Sequence, residues 1–145
     1  MEKKINILFV CKHNMFRSKI AEIYFDMINK NKNINADSAG IIRGYYPLDK
    51  REVAAAKELG INLSGRPKGL SIDLIKKQNL IIIVANDVTK NIFDRKEYIN
   101  FKTTKIIVWK VEDNLEATNF SKLKEIIKKI MKKVEELNKK LEKTR

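Results

Sequence analysis

Cys11 and Arg17 stand six positions apart, with Asn14 between them and Ser18 directly after. Phosphoryl transfer asks a protein for these residue types in this order. A cysteine thiolate is a strong nucleophile. A helix beginning near Arg17 would aim unpaired backbone N–H groups and the positive end of its dipole at an anion. The same positive end favours the thiolate form of Cys11. The planar fork of Arg17 can hold two equatorial phosphoryl oxygens at once, which a lysine cannot do. Ser18 can add a hydroxyl donor to the thiolate, and Lys12, His13, Met15 and Phe16 complete a loop around the phosphoryl group. A Cys and an Arg at this spacing also arise by chance, as a buried small hydrophobe and an exposed first-turn cation, so the surrounding elements must decide.

Those elements are legible in the hydropathy pattern. Apolar runs at Ile5–Val10, Ile34–Ser38, Leu80–Ala85 and Lys105–Trp109 have strand character. Helical periodicity lies between them. Ser18–Asn29 places Ile20, Ile23, Tyr24, Met27 and Ile28 on one face. Lys50–Leu59 ends at Gly60, a residue suited to the position after a helix. Ser71–Lys77, with Ser71 as N-cap, and Val88–Arg95 are short candidates, and a last helix begins near Asn119. Ile/Val-rich strands alternating with helices predict an α/β chain, a three-layer α/β/α arrangement with a four-stranded parallel sheet. Ligands of such sheets bind at the carboxyl ends of strands, where a strand gives way to a helix. Cys11–Ser18 is the first such place in the chain.

The 145 residues are expected to form a single domain over 1–145, with Asn138–Arg145 a frayed basic tail. Phe120, Leu123, Ile127, Ile130, Val134, Leu137 and Leu141 form a stripe at alternating spacings of three and four. It suits either a dimer seam or, more simply, a helix packed on the sheet, so a monomer or weak dimer is expected. One cysteine and one histidine, His13, leave no internal disulfide, no Cys-based metal cluster and no multi-histidine metal site. No metal is expected, because Arg17 and the oriented loop amides would supply the positive charge, and no cofactor is expected. The apolar run near the N-terminus is too short for a membrane span or a secretory signal, so a cytoplasmic location is expected. A net charge of +13 fits a soluble lysine-rich protein and also acidic or phosphorylated partners. No aromatic-interleaved basic motif of a nucleic-acid reader is visible.

Ile7-Leu8-Phe9-Val10-Cys11-Lys12-His13-Asn14-Met15-Phe16-Arg17-Ser18, followed by Ile20-Ala21-Glu22, resembles the signature of the low-molecular-weight protein tyrosine phosphatases. That family shares its fold with the thioredoxin-coupled arsenate reductases. The likeness continues through Ser38-Ala39-Gly40 with Gly44, Pro47 and Asp49, through Leu59–Ser64, and through Asn86-Asp87-Val88-Thr89. It implies a left-handed backbone at Asn14 and a role for Asp87 in orienting the loop. His13 departs from the glycine usual in the phosphatases. Phe16 departs from a second cysteine that shields the nucleophile in many of them, so oxidised Cys11 would lack that protection.

The resemblance also implies a general acid after the fourth strand. Asp113 aligns best with it, followed here by Asn114 in place of proline, with Glu112 as the fallback. Tyr45 and Tyr46 would form one aromatic wall of the substrate pocket, whereas Leu115 and Glu116 depart from the tyrosines of the other. The apolar Met15 leans toward aryl phosphates.

The implied activity is metal-independent hydrolysis of a protein-tyrosine or other aryl phosphate through a phospho-cysteine, with inorganic phosphate as product and inhibitor. Its partner would be a phosphorylated protein or a small aryl phosphate. An arsenate reductase resolved by an external thiol is the first alternative. A non-catalytic phosphate- or phosphoprotein-binding module is the second.

Overall fold

The computed structural model describes residues 4–94, 99–100, 103–113 and 119–143. Four strands, β1 (Ile5–Cys11), β2 (Ile34–Gly40), β3 (Leu80–Val84) and β4 (Lys105–Trp109), form one sheet in the order β2-β1-β3-β4. Every pairing is parallel. Four α-helices accompany them: α1 (Arg17–Ile28), α2 (Lys50–Glu58), α3 (Ile72–Lys76) and α4 (Phe120–Lys143).

The strands are apolar on both faces because both faces are covered. Ile7, Phe9, Ile82, Val84 and Trp109 pack into one core with Ile20 and Phe25 of α1, Ala55 and Ala56 of α2, and Leu123, Ile127, Ile130 and Val134 of α4. Leu8, Val10, Ile81 and Ile83 pack on the opposite face with Ile75 of α3, Val88, Phe93 and Ile99. The result is a three-layer α/β/α molecule, as the alternating pattern predicts.

Most boundaries follow local chemistry. Asp49 caps α2 by accepting from the backbone N–H groups of Arg51 at 2.8 Å and Glu52 at 3.3 Å. Gly60 follows that helix at φ 81°, where a side chain would be strained. Ser71 caps α3 through Leu74 N–H.

Four expectations need correction. β2 runs two residues beyond Ser38 because its pairing with β1 continues to the Cys11–Gly40 register. The buried face of α1 is centred on Ile20, Ala21 and Phe25, which turns Met27 outward at 55% exposure. The segment after Val88 forms only a 3-10 turn, Lys90–Phe93, among the described residues. α4 remains helical through Lys143 instead of fraying from Asn138, because Leu137 is buried and Leu141 packs against the core.

Candidate active site

β1 ends at Cys11 and α1 begins at Arg17, so the intervening loop lies at the carboxyl edge of the sheet. Gly40 pairs with Cys11, and the chain beyond it is drawn tightly over the loop. Ile41, Ile42 and Gly44 donate backbone N–H groups to the carbonyls of Cys11, Lys12 and His13, each at 3.0 Å. Loop acceptors are thereby held by that segment, as an anion site requires. A Cβ on Gly40 would come within 2.6 Å of the His13 carbonyl carbon, and one on Gly44 within 2.4 Å of Met15 Cγ. These two glycines are what permit the close approach. Phe16, the N-cap residue of α1, makes no side-chain cap hydrogen bond, and the first turn carries no acidic residue. The end of α1 is thus left to an exogenous anion.

Asn14 organises the loop from behind. Its φ is 56°, the left-handed conformation that the resemblance implies. Its side-chain oxygen accepts from Lys68 N–H at 2.9 Å, so its nitrogen must be the donor to Ser18 Oγ at 2.8 Å and Ser38 Oγ at 2.9 Å. Ser38 in turn donates to the Glu22 carboxylate. Ser18 Oγ lies 3.0 Å from Cys11 Sγ, within hydrogen-bonding distance of the sulfur. Asn14 N–H donates to the same sulfur at 3.3 Å. Both contacts reach the sulfur from the side of the buried loop.

Arg17 is 2% exposed and rigidly held. Its Nη1 donates to the Val111 carbonyl at 3.0 Å, and its Nη2 lies 2.9 Å from Asp87 Oδ1. Asp113 Oδ2 is 3.7 Å from the same Nη2. Asp87, noted in the sequence only as a loop-orienting residue, therefore acts on the guanidinium itself. Glu112 is turned away to α4, where it takes two hydrogen bonds from Lys129 Nζ at 3.0 and 3.1 Å. The Lys129 hydrogen bond holds its carboxyl below the usual range. Of the two candidate acids, only Asp113 lines the cleft over Cys11.

That cleft has a volume of about 190 Å³ and is lined by Cys11, His13, Met15, Phe16, Arg17, Asp49, Glu52 and Asp113. Lys12 is exposed outside the lining, and Asn14 and Ser18 are buried behind the sulfur. Tyr45 and Tyr46 also lie outside the lining, 83% and 54% exposed. The Tyr46 ring sits under the Arg66 guanidinium at 4.5 Å, and the backbone N–H of Tyr45 donates to Met15 Sδ at 3.4 Å. Asn114, Leu115 and Glu116 lie outside the described residues.

Sequence reasoning missed Ser38, Glu22 and Glu52, and it gave Asp49, which also lines the cleft, no place in the site. Ser38 and Glu22 were noted only as parts of motifs, and nothing in their spacing reveals that both reach Asn14's network. Glu52 looks like an ordinary first-turn acid of an amphipathic helix, and its facing onto the cleft depends on where α2 docks.

Comparison with known proteins settles the family. The model of the low molecular weight phosphotyrosine protein phosphatases matches residues 6–145. The chain belongs to this family. A search of curated proteins returns no match. Among solved structures, a mutant of YwlE from Bacillus subtilis superimposes with a TM-score of 0.80 at 21% identity, covering 96% of this chain and 99% of that one. A low molecular weight protein tyrosine phosphatase from T. tengcongensis gives 0.79 at 24% identity, over 94% and 99%. A thioredoxin-dependent arsenate reductase from Corynebacterium glutamicum gives 0.74 at 24% identity, over 99% of this chain and 65% of its own. At such identities the structural likeness establishes the fold, which phosphatases and arsenate reductases of this family share. Among the described residues, no helix is long and apolar enough to cross a membrane.

Proposed function

We propose that this chain is a metal-independent phosphatase acting on aryl phosphates such as phosphotyrosine. The observation that carries this reading is the convergence on one cleft of Cys11, Arg17 and Asp113. In the proposed cycle Cys11 Sγ attacks phosphorus in line, forming an S–P bond as the ester P–O bond breaks. Asp113 passes its proton to the departing oxygen. Arg17 and the loop N–H groups stabilise the equatorial oxygens, with Asp87 and the Val111 carbonyl fixing the guanidinium plane. Asp113, now a carboxylate, then takes a proton from water, whose oxygen displaces sulfur and releases inorganic phosphate. The YwlE arginine phosphatase, a fold relative at 21% identity, has been solved with a phosphorylated active-site serine, which is in keeping with a covalent route.

Hydrolysis of an aryl phosphate by the wild type, Cys11→Ser and Asp113→Asn tests the reading. Turnover should be unaffected by chelators, competitively inhibited by phosphate, and abolished by Cys11→Ser. Asp113→Asn should lose more with poor leaving groups than with good ones, since only poor ones need the proton. Activity that survives Cys11→Ser would sink the mechanism.

Arsenate reduction is the second reading, favoured by the fold relative that carries it out. With Cys11 as the one cysteine, the resolving thiol would have to be external. Thiol-dependent arsenate reduction without aryl phosphate hydrolysis would select it over the phosphatase.

A further inference from the structure

α4 is rich in lysine and contains no arginine. Lys128, Lys132, Lys139 and Lys143 follow one another at spacings of four, seven and four, and Lys133 and Lys140 run beside them. At about 3.6 residues per turn these spacings hold the six in two neighbouring rows, turned away from the buried Leu123, Ile130 and Val134. All six are exposed. Among the described residues none of them forms an ion pair, whereas Lys122 and Lys129 are taken up by Glu112 and Lys124 by Glu58. Of the acids on the helix, Glu135 and Glu142 are bonded to Tyr24 and Asn138. Glu125, 4.0 Å from Lys122, and Glu136 remain among the lysines and leave a positive excess.

This arrangement does not serve the helix itself. Lys128 and Lys132, Lys129 and Lys133, and Lys139 and Lys143 stand four apart, a spacing at which like charges destabilise a helix. Counter-charge from outside would relieve that repulsion. The chemistry of the face chooses among polyanions. α4 lies along the body of the protein, packed on α1, α2 and the sheet, and so cannot project into a nucleic-acid groove. From Ser121 to Lys143 it has no aromatic ring on which a base could stack. It also lacks the guanidinium fork that grips a single carboxylate or phosphate in two places. Compact lysine charges in straight rows, spread over about 22 Å from Lys128 to Lys143, suit a plane of anionic headgroups, which all of them can approach together.

We propose that the outer face of α4 docks this protein reversibly on a membrane surface rich in anionic lipid. No large apolar side chain of the helix beyond Phe120 is exposed, so the attachment is electrostatic, without insertion, and sensitive to salt. No residue of α4 lines the cleft over Cys11, so docking leaves the cleft free for substrate. The proposal stands apart from the chemistry performed there.

Vesicle flotation tests it, comparing pure phosphatidylcholine with phosphatidylcholine containing about 30% phosphatidylserine. The wild type should float with the anionic vesicles at about 0.05 M salt, be released at about 0.5 M, and ignore the neutral ones. Lys132→Gln/Lys139→Gln/Lys143→Gln should weaken partitioning about tenfold or more. Lys76→Gln/Lys77→Gln/Lys90→Gln removes the same charge from α3 and the 3-10 turn, on the opposite side of the sheet, and should change it by about twofold or less. Equal losses in the two variants would trace binding to net charge and overturn the proposal. So would absence of flotation with anionic vesicles, including the case in which duplex DNA retains the protein instead. Should the α4 variant fail to fold, acetylation of the wild type decides: anionic vesicles should shield the α4 lysines, and equal labelling with and without vesicles overturns the proposal.

Discussion

At Asn14 the chain adopts a left-handed conformation that costs an ordinary residue about 1–2 kcal/mol, and the surrounding hydrogen bonds hold it there. The amide ties Ser18, Ser38 and Lys68 together, and Glu22 closes the network from the far side. Burial raises the Glu22 carboxyl above its ordinary value of 4.5, with the Ser38 hydroxyl opposing. The native protein therefore binds this proton more tightly than the unfolded chain does. The resulting support for folding is full below the ordinary value and is lost as pH rises through the raised native one. Glu22→Gln, which keeps an acceptor for Ser38 but does not titrate, should gain stability relative to wild type more at neutral pH than near about pH 4. Urea midpoints at the two pH values check this, and an equal difference at both refutes it. Asn14, Ser18 and Cys11 could be named in advance because their types and spacing are local. Glu22 could not be given a role, since it stands on α1 and its partner Ser38 comes from β2.

At the scale of elements, α4 does the most to define the molecule. From Leu123 onward its apolar stripe is consumed by the core, with Leu123, Ile127, Ile130, Val134 and Leu137 all buried, while Phe120 at its start stays exposed. Periodicity foretold the stripe through Leu141 but not that the helix holds that far, because the docking of Leu141 onto the body of the protein is a long-range event that opposes fraying. The polar margin of the same helix reaches α1 through a hydrogen bond from the Tyr24 hydroxyl to the Glu135 carboxylate. That bond, helped by burial, pushes the Tyr24 phenol up to about 12. Its support for the fold is complete below the ordinary tyrosine value of 10.0 and is lost as pH rises through about 12. Glu135→Gln should return one of the protein's four tyrosines to ordinary titration. The phenolate absorbance between about pH 9 and 13 reads it directly, and an unaltered curve would show the bond to be without effect in solution.

Across the whole molecule, charge acts on two length scales. The net +13 gives a field that draws phosphate dianions toward the surface from any direction. At short range, three carboxylates, Asp49, Glu52 and Asp113, line the cleft over Cys11. The first effect is screened by salt over about 8–10 Å, so kcat/KM for phenyl phosphate should decline on going from low to about 0.15 M ionic strength while kcat stays nearly level. A rate constant that falls together with kcat would place the salt effect in the chemical step instead of in encounter.

Cys11, Arg17, the strand before them and the helix after them belong to one continuous stretch, and periodicity within that stretch determined that both stand on a loop between a buried strand and a helix. Four buried strands alternating with helices likewise determined the layered architecture, because a strand apolar on both faces must be covered on both. Tertiary structure alone decided which distant groups complete the site. It brought Asp87 and Val111 to Arg17, turned Glu112 to Lys129 and left Asp113 at the cleft, set Tyr45 and Tyr46 outside it, and brought Glu52 in. Each of these depends on how loops from separate strands meet at the sheet's carboxyl edge. Contacts across that edge are fixed by the packing of whole elements, which no local spacing encodes.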